Sequence, residues 1–330
     1  MKIIRNNGIN DPTINLALEE YCVRNLNMND DYLLFYINEP SIIIGKHQNT
    51  IEEINSGYVN ENGIQVVRRI SGGGAVYHDK GNLNFSFMTK YSNESIHNFK
   101  YFTGPVIKVL AELGVNAELN GRNDITVSDR KISGNAQFTD TKSMFSHGTL
   151  LFDSHLEDVA KALNVRIDKI ESKGIKSVRS RVANITEFLS HKMSIDEFRQ
   201  KIIDSIFSNQ DSVEYFELSD EQWSDVMNLS ESKYRNWDWN YGRSPEFNIQ
   251  KVNRFDFGQI DARINVKDGV INSIKIYGDF LGHGELEDLE KKLMNKKYEK
   301  EALLNSLSEF NLNMYLGKIS GDEFSAFLCE

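Results

Sequence analysis

The sequence predicts an α+β chain in two domains, and three observations carry that reading. First, Glu118 to Phe152 is a series of short alternating runs separated by Asn-Gly, Ser-Asp and Thr-Asp pairs. Such pairs form turns, so the segment reads as an antiparallel meander, not as βαβ units. Second, the chain turns mainly helical after residue 154. Third, alternation restarts beyond Ser244-Pro245 around Lys267-Asp268-Gly269, a hairpin signal. This places a large domain at 1–245 and a small one at 246–330. The second stretch, roughly 85 residues, is long enough to carry its own small core.

Composition supports a folded protein. A chain of 330 residues with 19 Phe and 13 Tyr can bury a sizeable core, and four prolines without any biased tract argue against disorder. The formal net charge is −10 and no basic stripe stands out, which excludes general nucleic-acid binding. No apolar run reaches membrane-spanning length, and the opening MKIIRNNGINDP has no apolar targeting core. Cys22 and Cys329 lie far from each other and from every motif, with no metal-ligand spacing. A reducing cytoplasm is therefore the expected location.

Taken in order, Asn10 or Asp11 caps a helix that starts at Pro12, with Ile14, Ala17, Leu18 and Tyr21 on one face. Asp31 to Asn38 and Ser41 to Lys46 read as strands around Glu39-Pro40. His47, Gln48 and Asn49 follow at a strand exit, either as binding groups or as a polar loop with a helix cap. Ile51 to Val59 reads as a helix, and 99–113 carries a helical stripe of Phe102, Val106, Val109, Leu110 and Leu113. Beyond the meander, 156–163 is a helix, and 173–183 (KGIKSVRSRVA) is a basic loop suited to a polyanion. Ser194 and Glu197 form a capping box for 194–208. Residues 218–236 look helical, and Trp237, Trp239 and Tyr241 alternate. In the small domain, helices are expected at about 285–294, 298–308 and 320–328.

The most informative stretch is Val66 to Phe87, VVRRISGGGAVYHDKGNLNFSF. Leu83, Phe85 and Phe87 alternate with Asn82, Asn84 and Ser86, the pattern of a half-buried strand. Gly72, Gly73 and Gly74 let the backbone approach a ligand closely, and free N–H groups there form an anion nest. Arg68 and Arg69 add fixed positive charge beside it. The alternative is a wide turn. Gly72 and Gly74 do not open a dinucleotide fingerprint, because position 77 is Tyr, and no P-loop is present. Lys131 follows the Ser128-Asp129 turn, either as a solvated edge residue or as a charge aimed into a pocket.

RRISGGGAVYHDKGNLNFSF, GRNDITV, RKISGNAQ and HGTLLF together closely resemble the full-length, two-domain lipoate–protein ligase A family. The likeness continues through KSVRSRVANI and NWDWNYGRSPEF into 246–330. It implies a biotin/lipoate ligase-like catalytic domain with a mixed, largely antiparallel sheet, plus a small C-terminal α+β domain that swings between steps. It also implies a two-step reaction: lipoate and ATP give lipoyl-adenylate and pyrophosphate, and the lipoyl group then passes to a lysine of a lipoyl-domain protein. The acceptors would be acyltransferase subunits of 2-oxoacid dehydrogenases or the glycine cleavage H protein. By the same resemblance Lys131 is the catalytic bridge. Arg69, Gly74, Ala75, Val76, Tyr77 and Asp124 join it around ATP, and Ser71, Gly72, Gly73 and His78 join it around lipoate. Asp124 is the candidate partner of Mg²⁺ or of an ammonium group. His78, Asn84 and His147 fall near the pocket, where each reads equally well as a satisfied structural polar residue. The loop 173–183 is expected to close over the adenylate. An octanoyltransferase with a cysteine nucleophile is disfavoured, since no cysteine lies between Val23 and Leu328. A non-catalytic sensor and a transferase fed with preformed adenylate are the remaining rivals.

Overall fold

The computed structural model describes residues 1–163, 181–210, 212–241 and 247–329. The first strands are β1 (Lys2–Ile4), β2 (Tyr32–Tyr36), β3 (Ser41–Ile44), β4 (Gln65–Arg68), β5 (Val76–His78) and β6 (Asn82–Lys90). The meander follows as β7 (Glu118–Asn120), β8 (Asp124–Val127), β9 (Arg130–Thr139) and β10 (Ser143–Leu151). Then come β11 (Tyr215–Phe216), β12 (Ile249–Phe255), β13 (Gly258–Lys267) and β14 (Val270–Gly278). An eight-stranded mixed sheet runs β11-β1-β2-β6-β10-β9-β8-β7, and a three-stranded sheet runs β4-β3-β5. A third sheet, β12-β13-β14, belongs to the C-terminal part. Every pair from β6 through the meander is antiparallel, as the turn chemistry requires. Ser128 and Asp129 both sit at positive φ, as do Asp268 and Gly269, so each pair makes the tight hairpin expected of it.

The eight-stranded sheet is buried on both faces. Leu33, Phe35, Leu83, Phe85 and Phe87 meet the helices at Phe99–Glu112 and Ile195–Ile206. The opposite face packs on the helix at Pro12–Asn25, on 220–234 and on the small β4-β3-β5 sheet. The alternation along β6 therefore separates a core face from an equally buried polar face, not a core face from solvent. The first helix is capped by the Asp11 carboxylate, as predicted, but it is buried nearly all round. Ile14 and Tyr21, expected on its apolar face with Ala17 and Leu18, are only half-buried, while Glu19 and Glu20 lie inside. Cys22 is fully buried there, and burial together with the Glu19 charge pushes its thiol far up.

Glu20 has a consequence for stability. Its carboxylate takes hydrogen bonds from Lys233, the Tyr234 hydroxyl (2.7 Å) and Arg24 (2.8 Å). Burial opposes its ionisation, but these partners outweigh it and hold the carboxyl below its ordinary value. The unfolded chain protonates at the higher, ordinary value. The stabilisation is thus complete above that value and is lost as the pH falls through the lower, folded one. Removing one partner of a buried ionic cluster costs about 3 kcal/mol. Glu20→Ala should lose about that much in urea unfolding at neutral pH and much less in acid. An equal loss at both would refute the ionic account.

Other differences have local causes. The helix expected over 51–59 is two short ones, Thr50–Glu53 and Ser56–Glu61. Ile54 is extended and bridges Leu163, and the Asn55 side chain caps the second helix. Trp237 and Trp239 belong to a short helical turn at Trp237–Asn240, which Tyr241 closes. The C-terminal part has its own core of Ile260, Ile264, Ile274, Leu289, Leu303 and Phe324, among others. The boundary drawn between 245 and 246 falls within 242–246, outside the described residues. Most of the basic loop, including Lys173, Lys176 and Arg179, also lies outside them.

Candidate active site

A cavity lies between the two sheets of the larger part. Ile43, Val76 and His78 line it from the small sheet, Asn84, Lys131, Ala136 and His147 from the large one, and Gly73 and Gly74 from the glycine loop. Leu16 and Tyr36 add apolar wall.

Lys131 reaches it because of a bulge. Asp124 pairs with Gly134 and Ile125 with Ser133, but Thr126 pairs with Lys131, so Ile132 is the extra residue. Strict alternation would put Lys131 and Gly134 on opposite faces. The bulge puts both on the face of Asp124 and Thr126. A Cβ on Gly134 would stand 2.9 Å from the Lys131 Nζ, so glycine leaves the room this side chain occupies. Lys131 Nζ pairs with Asp124 Oδ1 at 2.8 Å, both side chains being over one-third exposed. An ion pair so exposed is worth about 0–1 kcal/mol and yields readily to a ligand. Two ammonium N–H groups remain for other acceptors.

The two arginines differ from the expectation of free positive charge. Arg68 donates to the carbonyls of Trp239, Gly45, Lys46 and Gln48 and to Thr50 Oγ1, stapling β4 to those segments. Arg69 reaches the cavity wall, yet Nε donates to Ser71 Oγ, Nη1 to the Ile43 carbonyl, and Nη2 to the carbonyls of Gly72 and Gly74. It shapes the glycine loop from within, and burial pushes it down to about 10. Gly73, at φ +92°, adopts the left-handed region, and its N–H donates to the Phe280 carbonyl of the C-terminal part at 3.2 Å. A Cβ on Gly72 would stand 2.4 Å from that carbonyl. Leu281 packs on Phe99 and Ala136, and His47 stacks on Phe280 with ring centroids 5.0 Å apart.

Of the residues expected around ATP, Arg69, Gly74, Ala75, Val76 and Lys131 line the cavity, with Asp124 beside Lys131. Tyr77 turns the other way, into the cluster of Ile42, Ile44 and Val59, because alternation along β5 sends Val76 and His78 inward. Of those expected around lipoate, Lys131, Gly73 and His78 line it, while Ser71 and Gly72 stand behind the wall. The Glu19 carboxylate can only accept, so His147 Nδ1 donates to it at 3.0 Å; Nε2 of the neutral ring then accepts from Ser71 Oγ at 2.8 Å, and Ser71 Oγ accepts from Arg69 Nε. That is the order of a nucleophile, base and orienter. Ser71 is only 1% exposed, however, and the chain of bonds ties the loop to the first helix. Two buried polar atoms on the wall have no partner among the described residues: His78 Nε2 and Asn135 Oδ1. Leu16, Glu19 and Tyr36 escaped the sequence reading, while Asn123 and Asn135 were read only as neighbours of Lys131 on the sheet. Only Glu19, a carboxylate in an apolar helix, left a signal there.

A mixed sheet, a cavity opposite a glycine loop and one lysine bulged into it make a small-molecule-binding catalytic domain the class that this fold and site suit. The chain belongs to the lipoyl protein ligase family: a model described as the lipoyl protein ligase A/B catalytic domain matches residues 11–207, and one for the bacterial lipoate protein ligase C-terminus matches 244–328. It is 56% identical to the lipoate-protein ligase LplJ of Bacillus subtilis, over 98% of both chains. It is 52% identical to lipoate–protein ligase 1 of Staphylococcus aureus, again over 98% of both. A crystal structure of P. falciparum LipL1 in complex with lipoate superposes with a TM-score of 0.81 at 26% identity, covering 100% of this chain and 99% of that one. A lipoate-protein ligase A bound with ATP gives 0.64 at 30% identity, over 73% of this chain and 98% of that one.

Proposed function

We propose that this chain joins lipoate to ATP as lipoyl-adenylate and then moves the lipoyl group to a lysine of a lipoyl-domain protein, with Lys131 bridging the reacting groups. The observation that carries the assignment of roles is the bulge at Ile132, which turns Lys131 into the cavity opposite the glycine loop. The first step brings a carboxylate against the α-phosphate of ATP, two groups of like charge. A compact ammonium with two free donors holds one oxygen of each and stabilises the charge that develops between them. Gly74, Ala75 and Val76 offer the opposite wall to the nucleotide.

Mg²⁺ enters with the nucleotide in this reading. Among the described residues no three His, Cys, Asp or Glu side chains gather as a metal cage, and Asp124 is paired with Lys131. That donor set suits an ion carried mainly by phosphates and water, with Asp124 as its single protein carboxylate. The acceptors are lipoyl domains of dehydrogenase acyltransferase subunits or the glycine cleavage H protein. No described helix is long and apolar enough to cross a membrane, and a cytoplasmic site of action fits the substrates.

Pyrophosphate release from ATP that depends on lipoate, with a lipoyl mass gain on an apo acceptor domain, tests the reading. Mass gain only from supplied lipoyl-adenylate makes the chain a transferase, and neither signal makes it a sensor. Octanoate lacks only the two sulfurs, and apolar discrimination of that size is worth ~1–3 kcal/mol. Octanoylated acceptor should therefore form about 10–200-fold less efficiently in kcat/KM. Its absence at saturating octanoate would contradict this.

A further inference from the structure

The orphan nitrogen of His78 has an ordered set of residues behind it. His78 is 3% exposed on the cavity wall, and its Nδ1 lies 3.0 Å from Asn38 Nδ2. Asn38 and Asn15 are both fully buried. Asn15 Nδ2 donates to the Ile9 carbonyl and to Asn38 Oδ1, each at 2.9 Å. The Ile9 carbonyl can only accept, so it fixes which way the Asn15 amide faces. Asn15 then fixes the Asn38 amide, and Asn38 presents N–H to the ring. His78 Nδ1 must accept, and the proton of the neutral ring must sit on Nε2. Burial, with Arg69 and His147 nearby, pushes the ring down to about 3, so it is neutral at working pH. The result is an uncharged donor, unpartnered among the described residues, whose tautomer is set from the first helix.

We propose that His78 Nε2–H is the hydrogen-bond donor to the acyl carbonyl oxygen during transfer, and that Asn38 and Asn15 are positioning residues that hold it in the donating tautomer. This rests on the ligase reading. In the transfer step the acceptor amine adds to the carbonyl carbon and the C=O electron pair moves onto oxygen. That pair then returns as the C–O bond to AMP breaks; AMP leaves with the bonding electrons, and its phosphate oxygen takes the proton the amine gives up. Between the adenylate and the amide, negative charge stands on the carbonyl oxygen only in this addition. A fixed neutral donor favours that charge over the uncharged ground state. The rest of the acyl group, a hydrocarbon chain and a dithiolane, has no comparable acceptor, and the carbonyl oxygen has two lone pairs, so it can take the His78 donor as well as Lys131.

Asn38→Asp gives the test. A carboxylate at 38 takes the proton on Nδ1, leaving a lone pair on Nε2 where the donor was. It also raises the ring's basicity, so acidification returns a proton to Nε2. The other groups facing the ring are Arg69 and His147, with Glu19 behind His147, and all three remain. The neighbouring Asp79 carboxylate faces the amides of Gly81 and His155. Transfer from supplied lipoyl-adenylate to an acceptor domain should be ~10²-fold slower than wild type at pH 8. The deficit should shrink as pH falls. His78→Phe should be equally slow with no recovery, and His78→Gln, which keeps a donor, intermediate. Parallel profiles for Asn38→Asp and wild type, or His78→Phe at the wild-type rate, would overturn the proposal. Should Asn38→Asp not fold, the two His78 variants decide it. Failure of wild type itself to ligate would sink the ligase reading instead.

Discussion

Lys131→Ala should abolish lipoate-dependent pyrophosphate release, with a fall of at least ~10³-fold, about 4 kcal/mol of lost transition-state stabilisation. The reason is geometric as much as electrostatic. Among the cavity-lining residues, Arg69 has nearly all its donors engaged with the glycine loop, so no nearby cation can replace the ammonium. Lys131 is over one-third exposed and makes one exposed ion pair, so its removal should leave the melting temperature nearly unchanged. Lys131→Arg should fail as well, since a planar fork cannot take the place of a compact charge behind Gly134. Gly134→Ala should be partly impaired, because the new Cβ displaces the lysine stem. A Lys131→Ala protein that still releases pyrophosphate within tenfold of wild type would remove Lys131 from the chemistry.

Arg69→Gln should cost ~10²-fold or more in kcat/KM for adenylation, by a different route. The guanidinium supplies donors to the carbonyls of Ile43, Gly72 and Gly74 and to the Ser71 hydroxyl. A buried acceptor left without a donor costs about 1–3 kcal/mol, so the loop will leave this conformation to rehydrate them. KM for both substrates should rise, and the melting temperature should fall, unlike the result at Lys131. Arg69→Lys should rescue little, because one ammonium cannot reach four acceptors arranged around a planar fork. Steady-state kinetics beside thermal melting reads both effects. Near-wild-type adenylation by Arg69→Lys would show that charge alone is needed there.

What the sequence disclosed was what short segments decide for themselves. Ser128-Asp129 and Asp268-Gly269 make their turns from local backbone preference, so the meander and the C-terminal hairpin could be read before any contact was known. The Asp11 cap and the Ser194–Glu197 capping box are local in the same sense. The bulge at Ile132 was not legible, because it depends on how two strands come into register. The direction of Tyr77 was hidden too, since β5 exists only by pairing with β3. The burial of Glu19 and Glu20 required knowing that the first helix is covered on several sides. Resemblance singled out Lys131 as the candidate, but the reason it projects inward lies in the pairing of β8 with β9.

The buried cysteine has a redox consequence. Lipoate carries a five-membered cyclic disulfide, and a thiolate attacks such a ring to form a mixed disulfide. Cys22 belongs to the same helix as the cavity-lining Leu16. Its thiol is fully covered, and that burial, helped by the adjacent Glu19 carboxylate, keeps it protonated. Only the thiolate is nucleophilic, so this cysteine is chemically silent toward the dithiolane. The helix thus contributes sulfur to the core without a route for the enzyme to be captured by its own substrate. Free lipoate in excess should leave the folded protein without a mass adduct at Cys22, and the same treatment after denaturation should produce one.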